Sequence, residues 1–433
     1  MIIIIYSETY AGVVEGRLGE SEYSYYFVLK EYRPVLERLG IVVAVADPEN
    51  EVDAIYRNAA AHGESCIFLS FTPPHQTLLD LECPTVPVFA WEFDTLPTDI
   101  WNGDVRNDWR TVLGRLGRAI THSEFTVDTV KAAMGEAFPI ASIPAPVWDR
   151  FHALRRRYPP RPVCHAVDLS IIGTVVDTAA PGFDPELRRL PDPARPDAPA
   201  QLRLQGVIYG SVFNPRDGRK NWFEMLCAFC LALREASDAT LVFKLTHHDP
   251  VLAFEHMLEM IYRLSPFRCR VVLILGYLGD ADYEKLVGGA SYVVNASAGE
   301  GQCLPLMEFM SAGKPAIAPW NTALLDYLNA DNSFPVESSL EPWCWPHDPR
   351  QAFRTRRHRI DFGSLMQGFR DSYDVAKNDA PRYARMSERA NRDLKSHCSR
   401  GLIERRLREF LSFETGAAEE DTSPDQAAIA PAA

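Results

Sequence analysis

The 433-residue chain has no apolar run of 18 residues, and its first run, in MIIIIYSETYAG, is five residues long. A membrane span and a signal-peptide core both need more, so neither is expected. A basic surplus is missing too: 45 lysines and arginines stand against 58 aspartates and glutamates, a net charge of −13. That excludes the broad basic surface of a nucleic-acid binder and leaves room for a local basic pocket. Nor is there a disulfide pattern. Nine cysteines, an odd number, are scattered at Cys66, Cys83, Cys164, Cys227, Cys230, Cys269, Cys303, Cys344 and Cys398. Many lie in apolar runs such as SCIFLSF, which suits free thiols in a reducing cytosol. Cys227 and Cys230 form a C-x-x-C inside NWFEMLCAFCLALREA, an apolar pattern at helical spacing. With no second pair to complete a zinc site, they read as core. His75 and the run His247-His248-Asp249 likewise lack partners at metal spacing. Gly12, Gly16 and Gly19 in SETYAGVVEGRLGE do not have the spacing of a dinucleotide fingerprint.

What is present is an ordinary globular composition, 46% apolar and 24% charged. The length exceeds what one core usually supports, so two domains are expected. Short apolar strands (IIIIY, IVVAVAD, SCIFLSF, VPVFAWEF, AITHS, IASIPAP) alternate with helical patterns such as YFVLKEYRPVLERLG and EFTVDTVKAAMG. This rhythm predicts a parallel sheet with helices on both faces over residues 1–148. Residues 149–205 are rich in Pro, Arg and Asp and read as a linker with an irregular insertion, VDLSIIGTVV forming one strand. The rhythm returns over 206–380 through LRLQGVIYGSVF, ATLVFKL, RVVLILGYL, SYVVNAS and KPAIAPW. A helical segment over 381–413, broken near Gly401, is expected to pack back on the first domain, and 414–433 to be a disordered tail. Ligands of such sheets bind beyond the strand ends, here in the cleft between two domains.

The loop after SYVVNAS reads AGEGQCLPLMEFMSAGKP and sets Glu300 and Glu308 eight positions apart. Pro305 suits the first turn of a helix and Gly313 the position past its end, which predicts a helix from about 304 to 312. Glu300 then precedes the helix and Glu308 lies about one turn inside it. The N–H groups near Cys303 and Leu304 would form an anion site in the cleft. Glu308 is placed to accept from vicinal hydroxyls such as a ribose diol, and Glu300 to reach a group beyond the phosphates. The competing reading is a surface helix residue and a cap. A basic loop, GSVFNPRDGRKNW, follows the strand that opens the second domain. Its Arg216, Arg219 and Lys220 mark either a phosphate loop or a solvated turn, and Lys244 at the end of ATLVFKL adds to the same field. The DAD at 280–282 reads as a helix cap.

EGQCLPLMEFMSAGKPAIAP resembles the E-x7-E signature of retaining glycosyltransferases of the GT-B fold, especially family 4. The likeness extends back through LGYLGDADYEKLVGGASYVVNAS and covers most of 206–330; in the first half it rests on AITHSEFTVDTVKAAMG and IPAPV. The resemblance implies an α/β protein of two Rossmann-like domains facing a central cleft, needing neither metal nor cofactor. It implies that Glu308 binds the nucleotide ribose and that Glu300 faces the donor sugar. Gly301, Gln302, Cys303 and Leu304 would meet sugar hydroxyls and phosphate, and Lys220 with Arg216 or Arg219 the diphosphate. Gly276, Tyr277 and Gly12 are placed with the donor in the same way. Gln302 stands where Phe is common, and Cys303 where Gly is common; positive φ there would strain a cysteine. Many members carry a His after the strand that here runs into Trp91, Glu92, Phe93 and Asp94. Glu92 or Asp94 is therefore the expected group on the acceptor hydroxyl, with Trp91 and Trp101 stacking on a sugar ring. A structural acidic turn with core aromatics is the alternative.

The expected function is transfer of a sugar from a UDP- or GDP-sugar to a glycan or lipid-linked glycan, as in polysaccharide biosynthesis, by a cytoplasmic protein. Arg350, Arg354, Arg356, Arg357 and Arg359 offer either a solvated helix face or a peripheral patch for anionic lipid. Two alternatives stand beside it. One is a silent nucleotide-sugar sensor or partner subunit. The other is a GT-B phosphorylase, with Lys244 as its pyridoxal lysine, or an epimerase.

Overall fold

The computed structural model describes residues 1–9, 23–184, 199–247, 251–276 and 278–412. Gly12, Gly16, Gly19, His248, Asp249, Tyr277 and the 414–433 tail, which carried expectations, lie outside the described residues.

The first sheet is parallel throughout, in the order β2-β1-β3-β4-β5-β6. Its strands are β1 (Ile2–Tyr6), β2 (Ile41–Ala44), β3 (Cys66–Ser70), β4 (Thr85–Phe89), β5 (Ala119–Thr121) and β6 (Ile140–Ser142). Its helices are α1 (Tyr23–Leu39), α2 (Pro48–Ala61), α3 (Trp109–Leu116) and α4 (Glu124–Met134), and α5 (Trp148–Arg157) leads out of it. A parallel sheet is covered on both faces, which is why β1 is a run of isoleucines with Ile3, Ile4 and Ile5 all buried. Ser123 starts α4 as an N-cap, accepting from the Thr126 N–H at 3.2 Å.

The second sheet runs β14-β13-β12-β9-β10-β11-β8, with β7 paired to β9. It comprises β7 (Cys164–Ile171), β8 (Thr174–Asp177), β9 (Ala200–Phe213), β10 (Ala239–Leu245), β11 (Arg270–Leu275), β12 (Tyr292–Val294), β13 (Ala316–Pro319) and β14 (Ser333–Val336). Strands β7 and β8 pair antiparallel with β9 and β11; the other pairings are parallel. VDLSIIGTVV thus holds parts of two strands, not one. The chain reverses at Gly173 (φ +152), where a Cβ would lie 2.2 Å from the Leu275 carbonyl oxygen. Helices α6 (Trp222–Ala232), α7 (Val251–Leu264), α8 (Asp280–Gly289) and α9 (Leu304–Ser311) connect the parallel strands.

A hairpin of β15 (Ser338–Cys344) and β16 (Phe353–Ile360) follows, and then α10 (Phe362–Asn378), α11 (Ala380–Cys398) and α12 (Arg400–Ser412). The arginine-rich stretch is therefore strand, not helix. Arg350 and Arg354 reach Asp99, Arg356 reaches Asp94 and Arg357 reaches Glu341. Three of these four arginines bind acids of the first half, so the hairpin straps the halves together. Helix α12 returns to the first half: Arg38 pairs with Glu404 at 3.2 Å and Arg406 donates to the Ser142 carbonyl at 3.0 Å. One apolar cluster runs through both halves, holding Trp91 and Phe93 together with Leu306 and Met307. Among the described residues no helix is long and apolar enough to cross a membrane.

Gly288 sets how closely α8 approaches the chain just past α5. A Cβ on Gly288 would lie 2.5 Å from the Tyr158 ring, whereas one on Gly401 of α12 meets nothing within 4 Å. Gly288→Ala is expected to cost about 1–3 kcal/mol, as overpacking does. Gly401→Ala, in a helix with open space, should be neutral or slightly stabilising. Equal thermal unfolding of the two variants would contradict this packing.

Candidate active site

The strand ends of both sheets meet at a cavity of about 670 Å³, lined from both halves. Strand β12 ends at Val294, and the loop behind it carries Asn295, Ser297 and Glu300. Glu300 is 5% exposed. Its carboxylate accepts from Lys220 Nζ at 2.8 and 2.9 Å, from Asn295 Nδ2 at 3.0 Å and from Ser297 Oγ at 2.6 Å. Its own N–H donates to Thr322 Oγ1 at 2.9 Å. Burial would push this carboxyl up, but Lys220, Arg219 and the hydrogen bonds hold it below its ordinary value. Lys220 is the mirror case: burial lowers its pKa, Glu300 outweighs that, and the amine is held above its ordinary value. Glu300 is therefore a fixed negative charge and not a proton donor.

Lys220 and Arg219 come from the loop after β9. Asp217 caps a short 3₁₀ turn over Gly218–Lys220, accepting from the Arg219 N–H at 3.0 Å. The Arg219 guanidinium forms two bonds to Asp217, at 2.8 and 3.1 Å, and a further one to Glu92 from the first half. Burial raises the Glu92 carboxyl, Arg219 opposes it, and the net direction is up. Asp217 is held down at about 2, where burial is outweighed by Arg219 and Lys220. Arg216 also lines the cavity, from an exposed position.

Glu308 lies in α9, just over one turn past Leu304, and lines the same cavity. The hydroxyl of Tyr283, on α8, donates to its Oε2. Gly301 lines the cavity where the halves touch: a Cβ there would lie 2.7 Å from Ala90 Cβ and 3.2 Å from the Trp91 N. Cys303 adopts φ +60 at the start of α9, the left-handed region that strains a cysteine by about 1–2 kcal/mol. Asn295 Nδ2 donates to its sulfur at 3.3 Å. The glycine-like backbone is kept although the residue is not glycine.

Gln302, Cys303 and Leu304 line the cavity as well, while several expected residues have partners of their own. Asp94 accepts from Thr355 Oγ1 and the Arg356 N–H, both at 2.9 Å, and pairs with the Arg356 guanidinium. It anchors the hairpin and does not line the cavity, so of the acidic turn only Glu92 is available there. The Gln302 side chain accepts from the Ala145 N–H at 3.1 Å, bridging to the first half. Gly276 packs against the β7–β8 turn, where a Cβ would lie 2.8 Å from the Ile172 oxygen; Leu278 lines the cavity in its stead. Trp91 packs on Trp109 at 4.5 Å and donates to the Thr95 oxygen at 2.9 Å, while Trp101 packs on Trp345 and Arg350. Both rings are buried; Trp91 lines the cavity and Trp101 does not. Asp280 pairs with Lys30 and Arg150, and Asp282 with Lys285 within α8; the N-cap of α8 is Gly279 with no side-chain cap bond, so the DAD aspartates do not cap the helix. No group of three or more potential metal ligands occurs among the described residues.

Tyr283 and His347 are among the cavity residues that escaped the sequence reading. Tyr283 stands 25 positions before its partner Glu308, with no local pattern linking them. His347 enters from the loop between β15 and β16, beside His75 at 4.7 Å. Burial, with Arg219 second, lowers its pKa. Asn295 and Ser297, by contrast, stood in SYVVNAS directly before the loop and could have been named from it.

No protein-family model matches the chain, and no curated protein matches it. Among solved structures it is similar to sucrose-phosphate synthase from Thermosynechococcus elongatus, at 12% identity and a TM-score of 0.56 over 96% of this chain and 98% of that one. A glycosyltransferase from Rickettsia africae ESF-5 is similar at 13% identity and 0.54, over 95% and 98%. HepE of Anabaena, in complex with UDP and glucose, is similar at 13% and 0.52, over 95% and 99%. These likenesses show the GT-B fold, two Rossmann-like parallel-sheet domains facing a cleft.

The surroundings of Glu308 have a measurable consequence. Burial lifts its carboxyl from the ordinary 4.5 to about 7, against the opposing Tyr283 hydrogen bond. The folded protein thus keeps a proton that the unfolded chain releases at lower pH. The stability linked to it is full below 4.5 and is lost as pH rises through about 7. Glu308→Gln cannot ionise, so its melting temperature relative to wild type should be higher near pH 8 than near pH 5. The same difference at both pH values would contradict the shift.

Proposed function

We propose that the chain is a glycosyltransferase that takes a sugar from a nucleoside diphosphate and passes it, with retention at the anomeric carbon, to a glycan, free or lipid-linked. The observation that carries this reading is the Glu300–Lys220 pair, buried at the wall of a cleft between two parallel sheets. Glu308 lies eight residues further along the same wall, just over one turn into α9. The GT-B fold supports it, and so does HepE, which was solved holding UDP and glucose.

Glu308 would accept both ribose hydroxyls, and Glu300 with Lys220 would face the sugar. Arg216 and the first N–H groups of α9 would stabilise the charge that grows on the departing diphosphate. A leaving phosphate can take the acceptor proton on the same face, which needs no enzyme nucleophile. Glu92, with its raised pKa and its place across the cleft from Glu300, would orient the acceptor hydroxyl. The close approach of Gly299 and Gly301 to residues 90–92 excludes water from that point and limits donor hydrolysis.

Peripheral membrane contact has less to draw on than the arginine-rich sequence suggests. Arg350, Arg354, Arg356 and Arg357 are all engaged with carboxylates, the first three with Asp99 and Asp94 of the first half.

Turnover on a panel of UDP- and GDP-sugars, read as released nucleotide, tests the proposal. Glu300→Ala and Lys220→Ala should each lower kcat by roughly 100-fold or more, the scale of losing a preorganised charge at the reacting centre. Release unchanged in both variants would remove the site assignment. Donor binding without release, over varied acceptors, would establish the sensor in place of the enzyme. The anomeric configuration of the product, by NMR, decides retention.

A further inference from the structure

The cations lining the cavity are not equally available. Lys30 and Arg150 pair with Asp280, and Arg150 also with Glu31 and Glu284. Arg219 is held by Glu92 and Asp217, and Lys220 by Glu300. Of the cations that the sequence offers to the donor diphosphate, Arg219 and Lys220 are thus already neutralised by three carboxylates, and Arg216 lines the cavity from an exposed position.

Lys244 differs from the four paired cations. It sits near the end of β10, in register with Val212 of β9 on one side and Ile274 of β11 on the other. It is 4% exposed and lines the cavity together with Ser211, Phe213 and Thr246. Among the described residues nothing forms a hydrogen bond or ion pair with its ammonium. Burial alone acts on it, lowering its pKa to about 8. A buried charge without a partner is costly, and a strand end tolerates an apolar residue of the same length with no such cost. A position held at that cost is suited to an anion that arrives from outside.

The cavity decides which anion. Lys244 stands one strand away from the 214–220 loop, at the carboxyl edge of a parallel sheet, where phosphates of nucleotides collect. We propose that Lys244 is a counter-charge for a phosphate of the nucleotide donor, a buried cation that no described residue pairs. This rests on the nucleotide-sugar reading above and adds to it a residue outside the basic loop. It also accounts for how a dianionic diphosphate is held although Arg219 and Lys220 already have internal partners. Lys244 is a donor-binding residue in this proposal and takes no proton in the reaction.

The test compares wild type, Lys244→Met and Lys244→Gln by calorimetry with UDP, GDP, uridine and guanosine, together with thermal unfolding of each ligand-free protein. Wild type should bind one of the two diphosphates. Both variants should weaken that diphosphate by about 30-fold, the worth of one charge-assisted hydrogen bond, and leave the matching nucleoside within about twofold. The ligand-free Lys244→Met protein should melt no lower than wild type, because an uncompensated charge has been removed. Diphosphate affinity within about threefold of wild type in a folded variant would overturn the proposal. So would equal weakening of diphosphate and nucleoside, which would put Lys244 beside the base or ribose. A lower melting temperature for both variants would make Lys244 structural. Wild type that binds neither diphosphate removes the functional reading itself, a result distinct from wild-type binding with indifferent variants.

Discussion

The contact on which the site depends is the buried pair between Lys220 and Glu300. It joins the loop after β9 to the loop after β12, two strand ends that lie side by side in the second sheet. Such a pair costs several kcal/mol in lost hydration and is held only where further hydrogen bonds complete it. Here Asn295 and Ser297 complete the carboxylate. Together they fix where the chain leaves β12, where α9 begins and hence where Glu308 points. The same loop then meets the first half at Gly301 with no room for a side chain. A charge pair inside one half therefore governs the shape of the cleft between both.

Much of this was legible in the sequence because its causes are local. The isoleucine run of β1, the alternation of strand and helix, Pro305 in the first turn of α9 and Gly313 at φ +80 behind it each act within a few residues. The basic loop and the glutamate pair follow strand ends, where a parallel sheet puts its ligands. Even the exception at Cys303 was visible as a residue type at odds with the backbone it would need, and the backbone prevailed.

The parts that could not be read have partners far away in the chain. Asp94 is held by Arg356 across 262 positions, and Gln302 meets Ala145 across 157. The five arginines of 350–359 look like a helix face when counted alone. Their partners in the first half, Asp94 and Asp99, make them a strap. Trp91 and Trp101 offered themselves for stacking because tryptophan often does so in sugar sites, but their packing against Trp109 and Trp345 buries them. Gly276 is glycine to admit the β7–β8 turn, a contact with a segment roughly a hundred residues earlier.

The resulting picture is a cleft strapped by the β15–β16 hairpin and α12, in which Lys30, Arg150, Arg219 and Lys220 have carboxylate partners and Lys244 has none among the described residues. The most direct measurement is a crystal structure of the wild-type protein with the nucleoside diphosphate that it binds. The expected result places the ribose hydroxyls on Glu308 and the diphosphate between α9 and the end of β10, with the Glu300–Lys220 pair beyond it. Nucleotide density outside the cleft, or inside it with Glu308 untouched, would contradict that arrangement.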